Sequence, residues 1–501
     1  MPEFENTRNP ILPPAYHVPD CEAHVMPDGQ LYLYGSYDAR EDQYCSGEYH
    51  VISTPDLAHW TVHETSFRGA WVPWFGKEET QDYPETQHGV TPFMRKSYIR
   101  KMKRALTGRL THRRPADGSE ESGDTDGSAG GTDTGCSGGH IGSAVGTDSM
   151  EYTDSTGRIP DAAEKNPPLL YAPDAIEKNG KYYLYFCMAD GSEGAAVSDR
   201  PQGPFSDPVR LPCSGIDPAI FIDEDGQAYY YWGQFSAQGV RLNADLISFD
   251  RENIAFDLVT EQKHFFHEGS SVRRIGDTYY YVFSDMQRGK PTALGYATGK
   301  SPLGPFTYQG IIIDNDGCDP ECWNNHGSIE RFHGQWYVFY HRASRGSRLH
   351  RRLCIEPIRI GEDGRIAEVP MTSQGPGAPF APGEEIMGYR ACGLKGSVFI
   401  GTDDVFEEVL QNISGRDEAL FRYMESDRPY TQVELTCRGM GTVEIFMDSA
   451  KAGQVICEDA PDGQYHTVFG RMDCPPGKYT LMLRFRKPRS LRIAKIVLRC
   501  D

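Results

Sequence analysis

Three carboxyl side chains, Asp20, Asp217 and Glu268, and one imidazole, His326, stand at similar distances from a recurring glycine-aromatic motif. The motif occurs five times: Gly29-Gln-Leu-Tyr-Leu-Tyr, Gly180-Lys-Tyr-Tyr-Leu-Tyr, Gly226-Gln-Ala-Tyr-Tyr-Tyr, Gly276-Asp-Thr-Tyr-Tyr-Tyr and Gly334-Gln-Trp-Tyr-Val-Phe. Each glycine is preceded, six to nine positions earlier, by one ionisable residue, with Asp174 filling that place in the second occurrence. Carboxyl groups in this number suit cleavage of a glycosidic bond. One is protonated and donates to the leaving oxygen, and one is ionised and either attacks or activates water. A third negative charge makes the acid reluctant to ionise. A single Asp beside a turn is commonly a cap; three acids in register are the pattern of a site.

The elements that must position these groups follow from the repeat itself. A glycine, a short aromatic strand and turn signals without helical periodicity, repeated at roughly one blade's length, indicate a β-propeller. Each blade begins at the central channel, so residues at equivalent places converge on one axis. Second-strand signals recur as Ala195-Ala-Val-Ser-Asp-Arg-Pro-Gln-Gly-Pro-Phe205 and Gly295-Tyr-Ala-Thr-Gly-Lys-Ser-Pro-Leu-Gly-Pro-Phe306, with Pro and Gly setting the turns between them. Glu22 competes with Asp20, being two residues on and on the same strand face. Asp20 is preferred because its offset to Gly29 equals that of Asp217 to Gly226.

The segments Val18-Pro-Asp-Cys-Glu-Ala-His-Val25, Ile216-Asp-Pro-Ala-Ile-Phe-Ile222 and Phe266-His-Glu-Gly-Ser-Ser-Val-Arg-Arg274 resemble glycoside hydrolase family 43, the five-bladed propeller enzymes of the arabinofuranosidase and xylosidase group. The resemblance covers roughly residues 10–380 apart from an insertion. It implies that Asp20 is the general base, Asp217 tunes and orients the acid, and Glu268 is the general acid of an inverting reaction. One departure is that Cys21 follows Asp20 where the family usually has Pro. By the same resemblance His326 lies under the site and approaches a structural calcium in the channel through water, no cofactor being required for the reaction. Arg342 is expected to touch substrate hydroxyls. Trp74, with Trp71 beside it, is placed either to stack on a sugar or to pack blade edges.

The chain has 501 residues, enough for two or three domains with real cores. The first expected domain spans 1–380. It is interrupted by an insertion over about 95–160, where a Lys/Arg-rich stretch precedes Gly, Ser, Asp and Thr that cannot bury enough surface to order themselves. A Gly/Pro-rich linker follows, and period-two segments over 385–501 predict a β-sandwich that resembles carbohydrate-binding module family 6 in outline. The fold class is therefore all-β, a five-bladed propeller followed by a sandwich. The net charge of −20 argues against a nucleic-acid partner. No stretch of apolar residues reaches a membrane span, and no signal peptide is visible at Met1. Thirteen cysteines without metal-type pairs read as reduced thiols, so the cytoplasm is the expected compartment.

These readings converge on an exo-glycosidase for arabinose- or xylose-containing oligosaccharides, α-L-arabinofuranosidase first, with β-xylosidase or galactofuranosidase as alternatives. A non-catalytic sugar-binding propeller is the rival from another class. An interaction scaffold working through residues 95–114 is a further one.

Overall fold

The computed structural model describes residues 1–75 and 168–500; the expected insertion and its basic stretch lie outside the described residues. Five antiparallel sheets stand around one axis. Blade I contains Glu22–Val25, Leu31–Tyr34, Glu48–Thr54 and His59–Arg68, with Glu3–Glu5 on its outer edge. Blade II contains Asp174–Lys178, Lys181–Cys187, Ser192–Ser198 and Ser206–Ser214. Blade III is Ala219–Ile222, Ala228–Trp232 and Gln238–Arg241, and blade IV is Phe266–Ile275, Thr278–Asp285, Ala293–Gly299 and Phe306–Asp314. Blade V is Ser328–Phe332, Gln335–Ser344 and Ser347–Ile358. The first strand of each blade touches the first strands of its two neighbours, and blade V returns to blade I.

The repeated glycine has a specific task. Gly29, Gly180, Gly226, Gly276 and Gly334 all adopt positive φ, from 59° to 83°. Each sits in the tight turn joining the innermost strand to the second, where an L side chain would be strained. The aromatics that follow pack between blades. Tyr185 and Tyr230 meet at a tilt of 41° across blades II and III at 5.5 Å, and Tyr231 and Tyr281 meet edge-on across blades III and IV at 5.5 Å. Tyr185, Tyr230, Tyr231, Tyr281 and Tyr340 are among the largest fully buried side chains. Each contributes large apolar area while its hydroxyl finds a partner, as Tyr185 does with the Leu246 carbonyl.

The ring is closed by the N-terminal segment. Glu3–Glu5 pairs with His59–Arg68 of blade I. A few residues later the chain crosses to blade V, where the Ile11 amide donates to the Leu353 carbonyl. Asn9, fully buried, makes the seam. Its Nδ2 donates to the Ile355 carbonyl, Glu356 Oε1 and the Thr372 carbonyl, and its Oδ1 accepts from the Ile355 amide.

Beyond residue 385 a nine-stranded sheet folds over its own core. Two long strands, Tyr430–Met447 and Gly477–Cys500, run through it and change register at bulges, which lets one strand turn from one layer into the next. The alternation expected from sequence is visible in Leu435, Val443, Ile445, Leu483, Phe485 and Ile493, all buried. This region grips the propeller through charges. Glu408, with no exposure, accepts from Arg352 Nη1 at 2.6 Å and from Arg345 Nε at 2.9 Å. Near the linker Arg8 pairs with Glu384 at 2.7 Å.

Replacing Asn9 by Ala leaves several buried backbone groups of blade V and the loop after it without partners. Asn9→Ala is expected to destabilise the protein by about 3 kcal/mol, read as a lower urea midpoint at unchanged slope.

Candidate active site

Four of the sequence-selected groups meet where innermost strands begin. Asp20 stands two residues before Glu22–Val25, Asp217 two before Ala219–Ile222, and His326 two before Ser328–Phe332; Glu268 is the third residue of Phe266–Ile275. Asp20 and Asp217 both adopt left-handed backbone, with φ of 58° and 55°. Asp is among the few residues that tolerate this conformation, and non-glycine residues held there concentrate at functional sites. His326 Nδ1 lies 4.0 Å from Asp20 Oδ1 and 3.7 Å from Asp217 Oδ2, so one nitrogen joins blades I, III and V. Blade IV is brought against the same ring by Gly269, at φ 75°, where a Cβ would come within 2.9 Å of His326 Cδ2. Any side chain there would push the strand carrying Glu268 away from the cluster.

The charges within this cluster are arranged unequally. Burial alone would raise Asp20, but Arg351 and the imidazoles of His341 and His326 outweigh it and hold its carboxyl well below the usual range. Arg351 Nη1 donates to both oxygens at 2.8 and 2.9 Å, Ser36 Oγ donates to Oδ2, and His341 Nδ1 is 3.3 Å from Oδ1. Asp217 is the opposite case. Burial, then the charges of Glu268 and Asp20, push its carboxyl well above the ordinary range. Glu268, 9% exposed, is the most accessible of the three, and its Oε2 accepts from Gln234 Nε2 at 2.6 Å. Burial lowers His326 against the pull of Asp20 and Glu268, so its imidazole is neutral at neutral pH.

Several groups that complete the site carried no signal in the repeat. Arg351, with no exposure, spans Asp20 and Asp38, taking Asp38 at 2.9 and 3.0 Å. His341 Nε2 faces the backbone oxygen and Oδ1 of Asn324 at 3.1 and 3.2 Å, which fixes the ring that meets Asp20. Tyr44 lies beneath the Arg351 guanidinium at 4.2 Å and meets Trp323 and Tyr171 edge-on at 5.8 and 6.1 Å. These three half-buried aromatics border the carboxyl cluster and offer apolar faces to a sugar. One clue was present in the chain, the basic run His350-Arg351-Arg352 within the strand Ser347–Ile358.

Two expected substrate contacts are placed elsewhere. Trp74 stacks on Phe186 at 6.2 Å and donates to Ser192 Oγ, packing blade I against blade II. Arg342 is buried on the far face of its strand, where Nε donates to Cys354 Sγ at 2.9 Å and Nη1 to the Ala391 carbonyl at 3.4 Å. The reason is period-two alternation: His341 takes the face toward Asp20, so Arg342 must take the other.

Glu22 belongs to a separate layer. Its Oε1 accepts from Arg273 Nη2 at 2.7 Å and from Ser271 at 2.9 Å, and lies 3.9 Å from His24. His24 in turn contacts Asp174 at 2.7 Å, and Asp174 Oδ2 accepts the Ile220 amide. Burial pushes Glu22 and Asp174 each up to about 7 and His24 down to about 4. Among the described residues Glu22, His24 and Asp174 are the one group able to surround a metal ion. Calcium takes six to eight oxygen ligands. Here an imidazole supplies one of three ligand atoms and the Arg273 cation already lies against Glu22, so the cluster does not fit calcium. His326 lies apart from this cluster, its Nδ1 facing the carboxylates of Asp20 and Asp217.

An ionised carboxylate, a second carboxyl group pushed toward its protonated form and a third, more accessible acid are the parts that glycosidic-bond cleavage requires. Residues 150–366 match the family described as glycosyl hydrolases family 43. A xylosidase/arabinosidase of Bacteroides ovatus is 32% identical over 246 residues, covering 40% of this chain and 73% of its own. A xylosidase/arabinosidase of Thermoclostridium stercorarium is 33% identical over 285 residues, covering 48% of this chain, and the match spans only 58% of that relative's length. A solved family 43 arabinoxylan arabinofuranohydrolase of Bacillus subtilis aligns over 99% of this chain and 98% of its own, at 18% identity and a TM-score of 0.48. The chain belongs to glycosyl hydrolases family 43.

Proposed function

We propose that this protein is an inverting exo-glycosidase that releases terminal arabinose or xylose units from oligosaccharides, with α-L-arabinofuranosides as its first substrates. The observation that carries the proposal is the opposed electrostatics of neighbouring acids: Asp20 locked in its ionised form, Asp217 held toward its protonated form beside Glu268. Relatives described as xylosidase/arabinosidase and as arabinoxylan arabinofuranohydrolase support pentose substrates. Burial of Asp20, Asp217 and Glu268, none more than 9% exposed, supports a pocket for a chain end over an open groove.

In this reading a water lying against Asp20 attacks the anomeric carbon while its proton passes to the carboxylate. The bond to the leaving oxygen breaks as that oxygen takes the proton of Glu268. Configuration inverts, Asp20 leaves the step protonated and Glu268 ionised, and exchange with solvent restores both. Asp217 and Glu268 share one proton, which lies on Glu268 when the leaving oxygen claims it and leaves Asp217 ionised at that point. Arg351 and His341 hold the base carboxylate in place.

Glu268→Gln is expected to lower kcat on arabinoxylo-oligosaccharides by about 10²- to 10⁴-fold. On 4-nitrophenyl glycosides, whose leaving group needs little protonation, the loss should be much smaller; Asp20→Asn should suppress both substrate types alike. Equal losses for Glu268→Gln on both would remove its assignment as the acid. A panel of 4-nitrophenyl α-L-arabinofuranoside, β-D-xyloside and β-D-galactofuranoside decides the sugar.

The pH profile provides a second check. Asp20 must be ionised to act, and Arg351 is what holds its proton affinity down, so activity should persist far into the acid range. In Arg351→Lys a single ammonium cannot serve Asp20 and Asp38 in the same way. The acid limb of kcat/KM should then move toward neutral pH, with stability reduced by about 2 kcal/mol. An unmoved acid limb would show that Asp20 is not the titrating base.

A further inference from the structure

On the outer face of blade V, away from the carboxyl cluster, Arg342 and Arg352 are directly opposite each other on paired strands. Like charges in that position repel, and both guanidinium groups are buried, at 3% and 1% exposure. Ser344, two residues beyond Arg342 on the same face, is also buried. Each of the three carries a buried polar atom without a protein partner: Arg342 Nη2, Arg352 Nε and Ser344 Oγ. All three residues line one cavity of about 10 Å3 between the propeller and the C-terminal region, together with Pro10, Tyr389 and Ile400. That volume holds one particle of about the size of a water molecule.

The local charge does not close. Arg352 and Arg345 share the carboxylate of Glu408, and Arg345 also lies 3.9 Å from the exposed Glu41. Among the described residues no carboxylate lies within 4.0 Å of Arg342, whose partners are a backbone carbonyl and the Cys354 sulfur. Burial pushes that thiol up to about 11, so it is uncharged at neutral pH. Glu356, near Arg342, is occupied by Asn9, Tyr340 and Thr372, and burial pushes it up to about 7. Arg390, beside the Tyr389 ring, adds a further cation to the same interface. Two guanidinium N–H groups and a hydroxyl around a small cavity suit an acceptor carrying negative charge. A water could accept from both arginines and donate to Ser344 Oγ, but it would bring no charge to offset the cations. An uncompensated buried cation is among the most unfavourable features a fold can carry.

We propose that this cavity binds one monatomic anion, chloride in ordinary buffers, held by Arg342, Arg352 and Ser344 and bracing the C-terminal region against blade V. The site is separate from the carboxyl cluster and does not depend on the substrate reading.

The test is thermal unfolding of the full chain in sodium chloride and in sodium gluconate at matched ionic strength. Binding to the folded state alone raises Tm by roughly 1 °C for each tenfold increase in chloride above the dissociation constant, and gluconate, too large for the cavity, should not reproduce this. Arg342→Met should respond equally to the two salts. Should that variant fail to fold, Ser344→Ala keeps both cations and should shift the chloride response to roughly fivefold higher concentration. A crystal grown in sodium bromide should show an anomalous peak between the three side chains. Coincident chloride and gluconate curves, or an ordered water without anomalous signal at that position, would overturn the proposal.

Discussion

The site depends on one buried cation. Arg351 is fully enclosed, and its guanidinium binds Asp20 and Asp38 together while stacking on Tyr44. Without it, two carboxylates would face each other in a low-dielectric channel, and at least one would take a proton. With it, Asp20 stays ionised at a depth where burial would otherwise neutralise it. The planar fork matters as much as the charge, because its fixed, spread N–H groups reach two carboxylates from separate nitrogens and a phenol besides. Arg351 comes from the last strand of blade V and Asp20 from the entry to blade I, so the same contact also spans the seam where the ring closes.

In the proposed assignment Asp20 is a base held strongly in its charged form, hence a weak proton acceptor, and the reaction class explains why that is tolerable. Glycosidic cleavage passes through a state in which positive charge builds on the sugar before water has given up its proton. A fixed negative charge then serves first by stabilising the developing cation and only afterwards by taking the proton. The acid side needs the reverse, a group that keeps its proton until the leaving oxygen is ready. Crowding Asp217 and Glu268 together in a buried space supplies it, and His326, neutral and lodged between Asp20 and Asp217, separates the two halves without adding a charge.

Much of the fold was legible because the propeller writes its period into the chain. The glycine with positive φ and the aromatic strand after it repeat at each blade, so the residues ahead of them declare their place on the axis. That is why Asp20, Asp217, Glu268 and His326 could be chosen together. Arg351 could not be found in this way, being 331 positions from Asp20 and on an outer strand whose inward direction depends on sheet twist. The same gap explains Arg342 and Trp74. Proximity in sequence to a site residue says nothing about which strand face is taken, and an aromatic near a pocket packs against a neighbouring blade as readily as against a sugar.

Blade V shows how that ambiguity becomes design. Its paired strands Gln335–Ser344 and Ser347–Ile358 present His341 and Arg351 on the face toward Asp20, and Arg342 and Arg352 on the face toward the C-terminal region. Arg351 and Arg352 are adjacent residues, so any force on one is carried through a single peptide to the other. Glu408 anchors Arg352 from outside while Asp20 and Asp38 anchor Arg351 from inside. The strand is thus held in register from both sides by charges that cannot slip without leaving a buried ion unpaired. Through Glu408 the C-terminal region thereby holds Arg352, the residue next to the one that binds Asp20.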